Sequence, residues 1–168
     1  MKKYDLIIIG AGPAGLTAAL YAARYKMNFL VIGKNPGGLI GEAHEICNFP
    51  SYDRISGAEL MKRFIEPVKK LGVEIKQEEI LDVKKNKNDF EIVTNKNKYS
   101  VKKIIFATGS ERKKLDIAKE KEFVGKGLSY CATCDAGFYK DKITGVVGGS
   151  DAALTAALLL TKFAKKFI

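Results

Sequence analysis

The chain has 168 residues, enough for one packed core or for one domain and part of a second. Its 46% hydrophobic content excludes disorder as the default state, and no apolar run approaches the roughly 18 residues that a membrane span needs. The formal charge of +10 comes mostly from lysines scattered along the chain, such as Lys84, Lys85, Lys102 and Lys103, not from arginines interleaved with aromatics; it describes a solvated surface and no nucleic-acid interface.

Residues 4–9, Tyr-Asp-Leu-Ile-Ile-Ile, form a short β-branched run suited to a buried parallel strand. Asp5 before the apolar stretch and glycine directly after it also exclude a secretory signal, so the chain reads as cytoplasmic. Gly10-Ala11-Gly12-Pro13-Ala14-Gly15 follows at once. Leu16 to Lys26 then reads as an alanine-rich helix, with Pro13 near its first turn, where a missing N–H costs nothing. Asn28 to Ile32 is a second strand. The G-x-G-x-x-G pattern therefore sits between strand and helix in a βαβ unit, the context that makes it a dinucleotide fingerprint.

Each glycine has a physical task there. Gly10 allows the tight turn, Gly12 lets the backbone approach a pyrophosphate, and Gly15 lets the helix pack on the strand. The helix start, at Pro13 and Ala14, offers N–H groups and a positive dipole end to phosphate. One expected part is missing. A carboxylate usually ends the second strand, about 20 residues on, and holds the ribose hydroxyls. This chain has Gly33-Lys34 there, so ribose is left to backbone groups, Lys34 or another side chain.

Residues 33–56 make a long loop of the kind that is usually functional. Its pair Gly37-Gly38 permits close approach to a flat ligand, and it also holds His44, Cys47, Asn48, Phe49 and Pro50. Ser56-Gly57-Ala58-Glu59 is a capping box, and the helix it starts runs to about Leu71-Gly72, bent at Pro67. Residues 73–100 alternate in hydrophobicity between Asn/Lys/Asp turns and predict a small antiparallel meander. Residues 103–107 return to a buried strand, which Thr108-Gly109-Ser110 ends with a turn placed to wall the same dinucleotide site.

Residues 111–126 are charged, lack periodicity and read as a linker. Cys131-Ala132-Thr133-Cys134-Asp135 comes next. With Cys47 the chain holds three cysteines, too few and too odd for a structural disulfide framework, which leaves a redox or a metal role for the close pair. Residues 131–137 are compatible with a short helical turn. A thiolate is the reactive form of such a pair, and the adjacent carboxylate of Asp135 can carry the proton a leaving thiolate needs. Residues 142–147 form another strand. Gly148-Gly149-Ser150-Asp151 opens a helix read to about Lys166, a second nucleotide unit in which Ser150 replaces the second glycine of the fingerprint and Asp151 could cap the helix.

Two strand–glycine–helix units flanking a Cys-x-x-Cys-Asp segment resemble the low-molecular-weight thioredoxin reductase family of flavoproteins. The resemblance covers the whole chain. It rests on Gly10–Gly15, on Gly37-Gly38 with Asn48-Phe49-Pro50, on Ala107-Thr108-Gly109, on residues 127–135 and on Gly148-Gly149. The resemblance implies a Rossmann-like, doubly wound FAD-binding domain with a small meander over residues 1–112, and a second Rossmann-like NAD(P)-binding domain begun over residues 113–168. It also implies the chemistry. NADPH, or NADH, reduces FAD, and the flavin reduces a Cys131–Cys134 disulfide. Cys134 is implied as the sulfur facing the flavin, Cys131 as the sulfur that attacks a thioredoxin or thioredoxin-like disulfide, and Asp135 as acid or base. Asn48 is implied near the flavin ring, and Thr108-Gly109 near the adenosine or pyrophosphate. The intact form is implied to be a homodimer.

Family chains are longer and close the flavin domain with a later segment, so this chain is expected to be an incomplete form that binds FAD poorly alone. Two other readings compete. His44-x-x-Cys47 with Cys131-x-x-Cys134 offers four ligands for a structural zinc ion. A non-catalytic nucleotide-binding module would keep both glycine turns and treat the cysteines as incidental.

Overall fold

The computed structural model describes residues 2–43, 45–111 and 113–168, with Phe167 described in its backbone only. The chain divides into two compact units, Met1–Glu111 and Arg112–Ile168.

The first unit is an α/β fold on one six-stranded sheet. Strand β1 (Lys2–Ile9) leads through the glycine turn into helix α1 (Pro13–Arg24), then β2 (Phe29–Ile32), a 3₁₀ turn (Gly38–Glu42), helix α2 (Gly57–Lys70) and strands β3 (Ile75–Lys76), β4 (Ile80–Lys85), β5 (Phe90–Thr94) and β6 (Lys98–Phe106). The sheet order is β3-β2-β1-β6-β5-β4. β1 runs parallel to both β2 and β6, and β3 parallel to β2, whereas β4, β5 and β6 are antiparallel neighbours.

The second half of β1, Leu6–Ile9, is apolar because both of its faces are covered. Leu6 and Ile8 point into one core with Leu16, Ala19 and Ala22 of α1 and Met61 and Val68 of α2. Ile7 and Ile9 point into another, with Leu30 and Ile32 of β2 and Ile92, Tyr99 and Val101 of β5 and β6. Ile7, Ile8, Leu30 and Val31 are fully buried, and each such side chain contributes about 1.5–3 kcal/mol on burial. This two-sided burial holds the end of β1, and the turn after it, in a fixed place.

Several expected boundaries move. α1 begins at Pro13, before the predicted Leu16. β3 belongs to the parallel sheet and not to the meander, because residues 74–76 pair with β2. β6 is one continuous strand where two were expected. Its first half pairs with β5 and its whole length with β1, so meander and parallel sheet merge. α2 starts as predicted, with Ser56 Oγ accepting the Glu59 N–H at 3.2 Å, and it continues through Pro67 to Lys70.

The second unit contains helix α3 (Glu120–Phe123) inside the segment read as linker, helix α4 (Ala132–Asp135) followed by a 3₁₀ turn (Ala136–Tyr139), strand β7 (Ile143–Thr144), helix α5 (Asp151–Leu160) and strand β8 (Lys166–Phe167). α5 is shorter than predicted. The chain turns at residues 161–164 so that β8 can pair parallel with β7, and that ladder replaces the last helical turn. Among the described residues no helix is long and apolar enough to cross a membrane.

Candidate functional site

The glycine turn lies where β1 and β6 end. Gly10 has φ +114°, and a Cβ there would stand 2.0 Å from the Ala107 carbonyl oxygen. A Cβ on Gly15 would stand 1.9 Å from the Gly10 carbonyl oxygen. These two glycines are required by the close packing of α1 and β6 on the turn. Gly12 is different. Its backbone is extended (φ −82°, ψ −173°), a conformation any residue adopts, and among the described residues beyond its chain neighbours a Cβ there would meet nothing within 4 Å.

Neither strain nor packing therefore asks for glycine at position 12. A side chain would fill open space in front of the first turn of α1. There the N–H groups of Ala14 and Gly15 lack helical partners, Pro13 contributes none, and no acidic side chain competes. The pyrophosphate of a dinucleotide fits this donor set and this clearance.

The rest of the rim follows. Gly37 donates its N–H to the Ala11 carbonyl at 2.8 Å, and a Cβ on Gly38 would lie 3.5 Å from Gly12 Cα. Thr108 borders Gly10, and a Cβ on Gly109 would meet nothing within 4 Å. The structure thus brings Gly10, Gly12, Gly15, Gly37, Gly38 and Thr108 to one edge. An open groove of about 600 Å³ starts at Gly38 and is lined by Asn35, Pro36, Met61 and Ile65.

Gly33 has no room for the carboxylate that usually ends the second strand, since a Cβ there would stand 2.8 Å from both Ala11 N and Ala11 Cβ. Lys34 instead pairs with Glu79, Nζ to Oε1 at 3.0 Å, and this hydrogen bond and charge hold the ammonium above its ordinary pKa. The Glu79 carboxylate belongs to the β3–β4 connection. Asn48 is exposed. Its neighbour Phe49 stacks on Tyr52 and meets Phe64 of α2 edge-on, both at 6.2 Å between ring centroids. No hydrogen bond links Asn48 to the glycine rim among the described residues.

In the second unit, Cys131 and Cys134 are joined as a disulfide, with Cα atoms 5.3 Å apart. One helical turn produces this approach, because Cys131 is the N-cap of α4 and Cys134 its third residue. Cys131 Sγ accepts the Cys134 N–H at 3.3 Å, and its carbonyl accepts the N–H groups of Cys134 at 3.1 Å and Asp135 at 3.0 Å. Cys131 is half-buried and Cys134 exposed. The Asp135 carboxylate is half-buried and receives the Ser129 hydroxyl at 2.6 Å. Burial first, then the charge of Asp135, holds the nearby Tyr139 phenol above its ordinary pKa.

The segment before the dithiol is anchored separately. Tyr130 donates its hydroxyl to Glu120 Oε1 and accepts the Leu115 N–H at 2.9 Å, while Glu120 Oε2 accepts the Asp116 N–H at 2.8 Å. The bond from Tyr130 leads in holding Glu120 below the ordinary carboxylate value, against the opposing effect of burial. Sequence reasoning assigned no role to Ser129, Tyr130, Glu120 or Glu79. Ser129 and Tyr130 lie in the recognised motif, but their partners are reached only through the fold.

The second glycine turn repeats part of the first. A Cβ on Gly148 would stand 3.0 Å from Ala153 Cβ, and one on Gly149 would meet nothing within 4 Å. Ser150 is the N-cap of α5 without a side-chain cap bond, and Asp151 is the first helical residue, not the cap. Its carboxylate occupies the end of the helix that would otherwise favour an anion, so this turn suits phosphate less well than the first.

The zinc arrangement gains nothing here. His44 lies outside the described residues, Cys47 is free and exposed, and Cys131 and Cys134 are bonded to each other. Among the described residues no group of three or more His, Cys, Asp or Glu could hold a metal ion.

A mixed sheet whose parallel strands end in an open glycine turn, continued by a unit that carries a Cys-x-x-Cys disulfide, defines a dinucleotide-binding fold linked to a dithiol. Residues 4–168 match the family described as pyridine nucleotide-disulphide oxidoreductase, and the chain belongs to that family. It is 41% identical over 166 residues to the thioredoxin reductase of Bacillus subtilis and 42% identical over 168 residues to that of Buchnera aphidicola. These alignments cover 98% and 99% of this chain but 52% and 53% of the relatives, so the chain spans about half the length of the curated relatives it matches. The solved thioredoxin reductase of Streptococcus pyogenes aligns with a TM-score of 0.83 at 40% identity, over 98% of this chain and 54% of that one. That of Giardia duodenalis aligns with a TM-score of 0.83 at 33% identity, over 99% and 55%. The Rossmann-like α/β fold is thereby established.

Proposed function

We propose that this chain carries the disulfide-exchange centre and the adenine-nucleotide cradle of a thioredoxin-reductase-type flavoenzyme. The observation that carries the reading is the Cys131–Cys134 disulfide on a helical turn with Asp135 beside it, in a chain about 40% identical to thioredoxin reductases.

FAD is the cofactor that suits the first glycine turn. Gly12, Ala14 and Gly15 would hold its pyrophosphate, with Gly10, Pro13, Gly37, Gly38, Thr108 and Gly109 forming the rim, Gly33 and Lys34 at the ribose end and Asn48 in the outer loop. Gly148, Gly149, Ser150 and Asp151 are the corresponding residues for NADPH or NADH. When bound there, FAD would supply the electron pair that opens the Cys131–Cys134 disulfide.

The remaining steps belong to the protein. Of the two sulfurs, Cys131 Sγ receives an N–H donor, and a hydrogen bond to a thiolate favours the charged form. Cys131 is therefore the better thiolate once the pair is reduced. It attacks one sulfur of a thioredoxin-type disulfide; an S–S bond forms between the proteins, and the partner's other sulfur leaves. Asp135, holding the proton that Cys131 gave up, passes it to that sulfur, then takes the proton of Cys134 and delivers it to the partner's second sulfur as that sulfur leaves. Cys134 then attacks Cys131 Sγ, restores the internal disulfide and releases the partner's second thiol. Two electrons and two protons pass to the partner.

Stoichiometric exchange tests this. Reduced chain, freed of reductant, is mixed with an oxidised thioredoxin, and protein thiols are counted in each after separation. Transfer of two thiols per chain, lost in Cys131→Ser, is the expected result; no transfer over a range of partner concentrations contradicts the reading.

A further inference from the structure

Ser129 makes two hydrogen bonds that tie the dithiol to its carboxylate. Its single hydroxyl proton goes to Asp135 Oδ2 at 2.6 Å, and its oxygen accepts the Cys131 N–H at 3.0 Å. Asp135 is held a second time through its own N–H, donated to the Cys131 carbonyl at 3.0 Å. Ser129, Cys131 and Asp135 thus form a closed ring of hydrogen bonds around the start of α4. The other carboxylate oxygen, Oδ1, has no hydrogen-bond partner among the described residues. A carboxylate with one oxygen fixed and one open presents a single, defined site for a proton. Among its surroundings, Tyr139 feels its charge, and α5, packed against α4, carries one titratable residue, Asp151.

We propose that Ser129 is a positioning residue for proton transfer, holding Asp135 so that its free oxygen delivers the proton to the thiolate that leaves during disulfide exchange. The inference rests on Asp135 as the acid of that exchange. Ser129 touches no reacting atom. It removes rotation about the Asp135 side chain and places the carboxylate in register with Cys131.

The test uses two small disulfides that differ in their need for a proton. The full chain, in a Cys47→Ser background so that no third thiol reacts, is reduced and freed of reductant. It is then mixed with hydroxyethyl disulfide, whose leaving thiolate is strongly basic, or with 5,5′-dithiobis(2-nitrobenzoate), whose leaving thiolate is stable without a proton. In each case the dithiol becomes the internal disulfide and two small thiols are released.

Asp135→Asn should slow the first reaction at least about a hundredfold, the lower end of the range of a general acid, and leave the second within about twofold. Ser129→Ala should show the same selective loss, by about three- to tenfold. Adding it to Asp135→Asn should have no further effect, as expected for groups acting as one unit. The isosteric pair Ser129→Thr and Ser129→Val isolates the hydroxyl should alanine disturb folding: Thr should restore the wild-type ratio of the two rates and Val should not. Equal slowing of both disulfides, or an unchanged ratio in Ser129→Val, overturns the proposal. An unchanged ratio in Asp135→Asn removes the acid on which it rests, a separate and recognisable failure.

Discussion

Replacing Gly12 by alanine should separate nucleotide binding from folding. The backbone at Gly12 is extended, and among the described residues beyond its chain neighbours an added Cβ would meet nothing within 4 Å. Alanine is a poorer N-cap than glycine by a fraction of a kcal/mol, but it stiffens the unfolded chain by about 0.4–1 kcal/mol. The two effects nearly cancel, so Gly12→Ala should change stability by no more than about 0.5 kcal/mol. Gly10→Ala is the contrast. It combines positive-φ strain of about 1–2 kcal/mol with overpacking of about 1–3 kcal/mol against the Ala107 carbonyl, about 2–5 kcal/mol together. At about 4 °C per kcal/mol, Gly10→Ala should lower the melting temperature by about 8–20 °C. Thermal melts of both variants and calorimetric titration with ADP or FAD decide the matter. Gly12→Ala should melt like wild type yet bind at least about tenfold more weakly, because its methyl occupies the space assigned to pyrophosphate. Unchanged affinity in Gly12→Ala, or melting as depressed as in Gly10→Ala, would refute the assignment.

Two further predictions concern the framework of the first unit. Glu78 is buried, and burial alone would raise its pKa; bonds from Thr94 at 2.6 Å, Tyr99 at 2.9 Å and Asn97 at 2.7 Å prevail and lower it below the ordinary 4.5. A depressed carboxylate adds stability above its unfolded value and loses it as pH falls through the folded one. Tyr99→Phe should therefore cost about 1.5–3 kcal/mol near pH 7, and denaturant melts should show the gap from wild type closing below about pH 4. Ser56→Ala removes the cap of α2 and should cost about 1 kcal/mol by denaturant unfolding, with no effect on the reactivity of the dithiol.

The parts of the molecule legible in the sequence are those where local chemistry and fold agree. The run from Leu6 to Ile9, the glycines after it and the cap at Ser56 announce a strand, a turn and a helix because short-range forces form them. The packing roles expected of Gly10 and Gly15 agree with the crowding there. What stayed hidden depends on partners distant in sequence. Val73 and Ile75 alternate like the meander that follows them, and only the pairing with β2 assigns β3 to the parallel sheet. The strand expected over residues 103–107 is the second half of β6, which stays paired with β1 after its pairing with β5 ends at Val101. Glu79 gave no sign that it would reach Lys34 across 45 positions. Ser129 lies six positions before Asp135, a spacing that no helix or strand period brings together, and α4 alone makes the bond possible.

The central claim is that Cys131 is the sulfur that joins the partner and Cys134 the sulfur that releases it. Reduced Cys134→Ser and Cys131→Ser chains, each in the Cys47→Ser background, can be mixed with an oxidised thioredoxin-type protein and analysed by mass spectrometry under non-reducing conditions. Cys134→Ser should accumulate a stable disulfide-linked complex whose cross-link maps to Cys131, and Cys131→Ser should form none. A complex formed through Cys134 at an equal or greater rate would contradict the account.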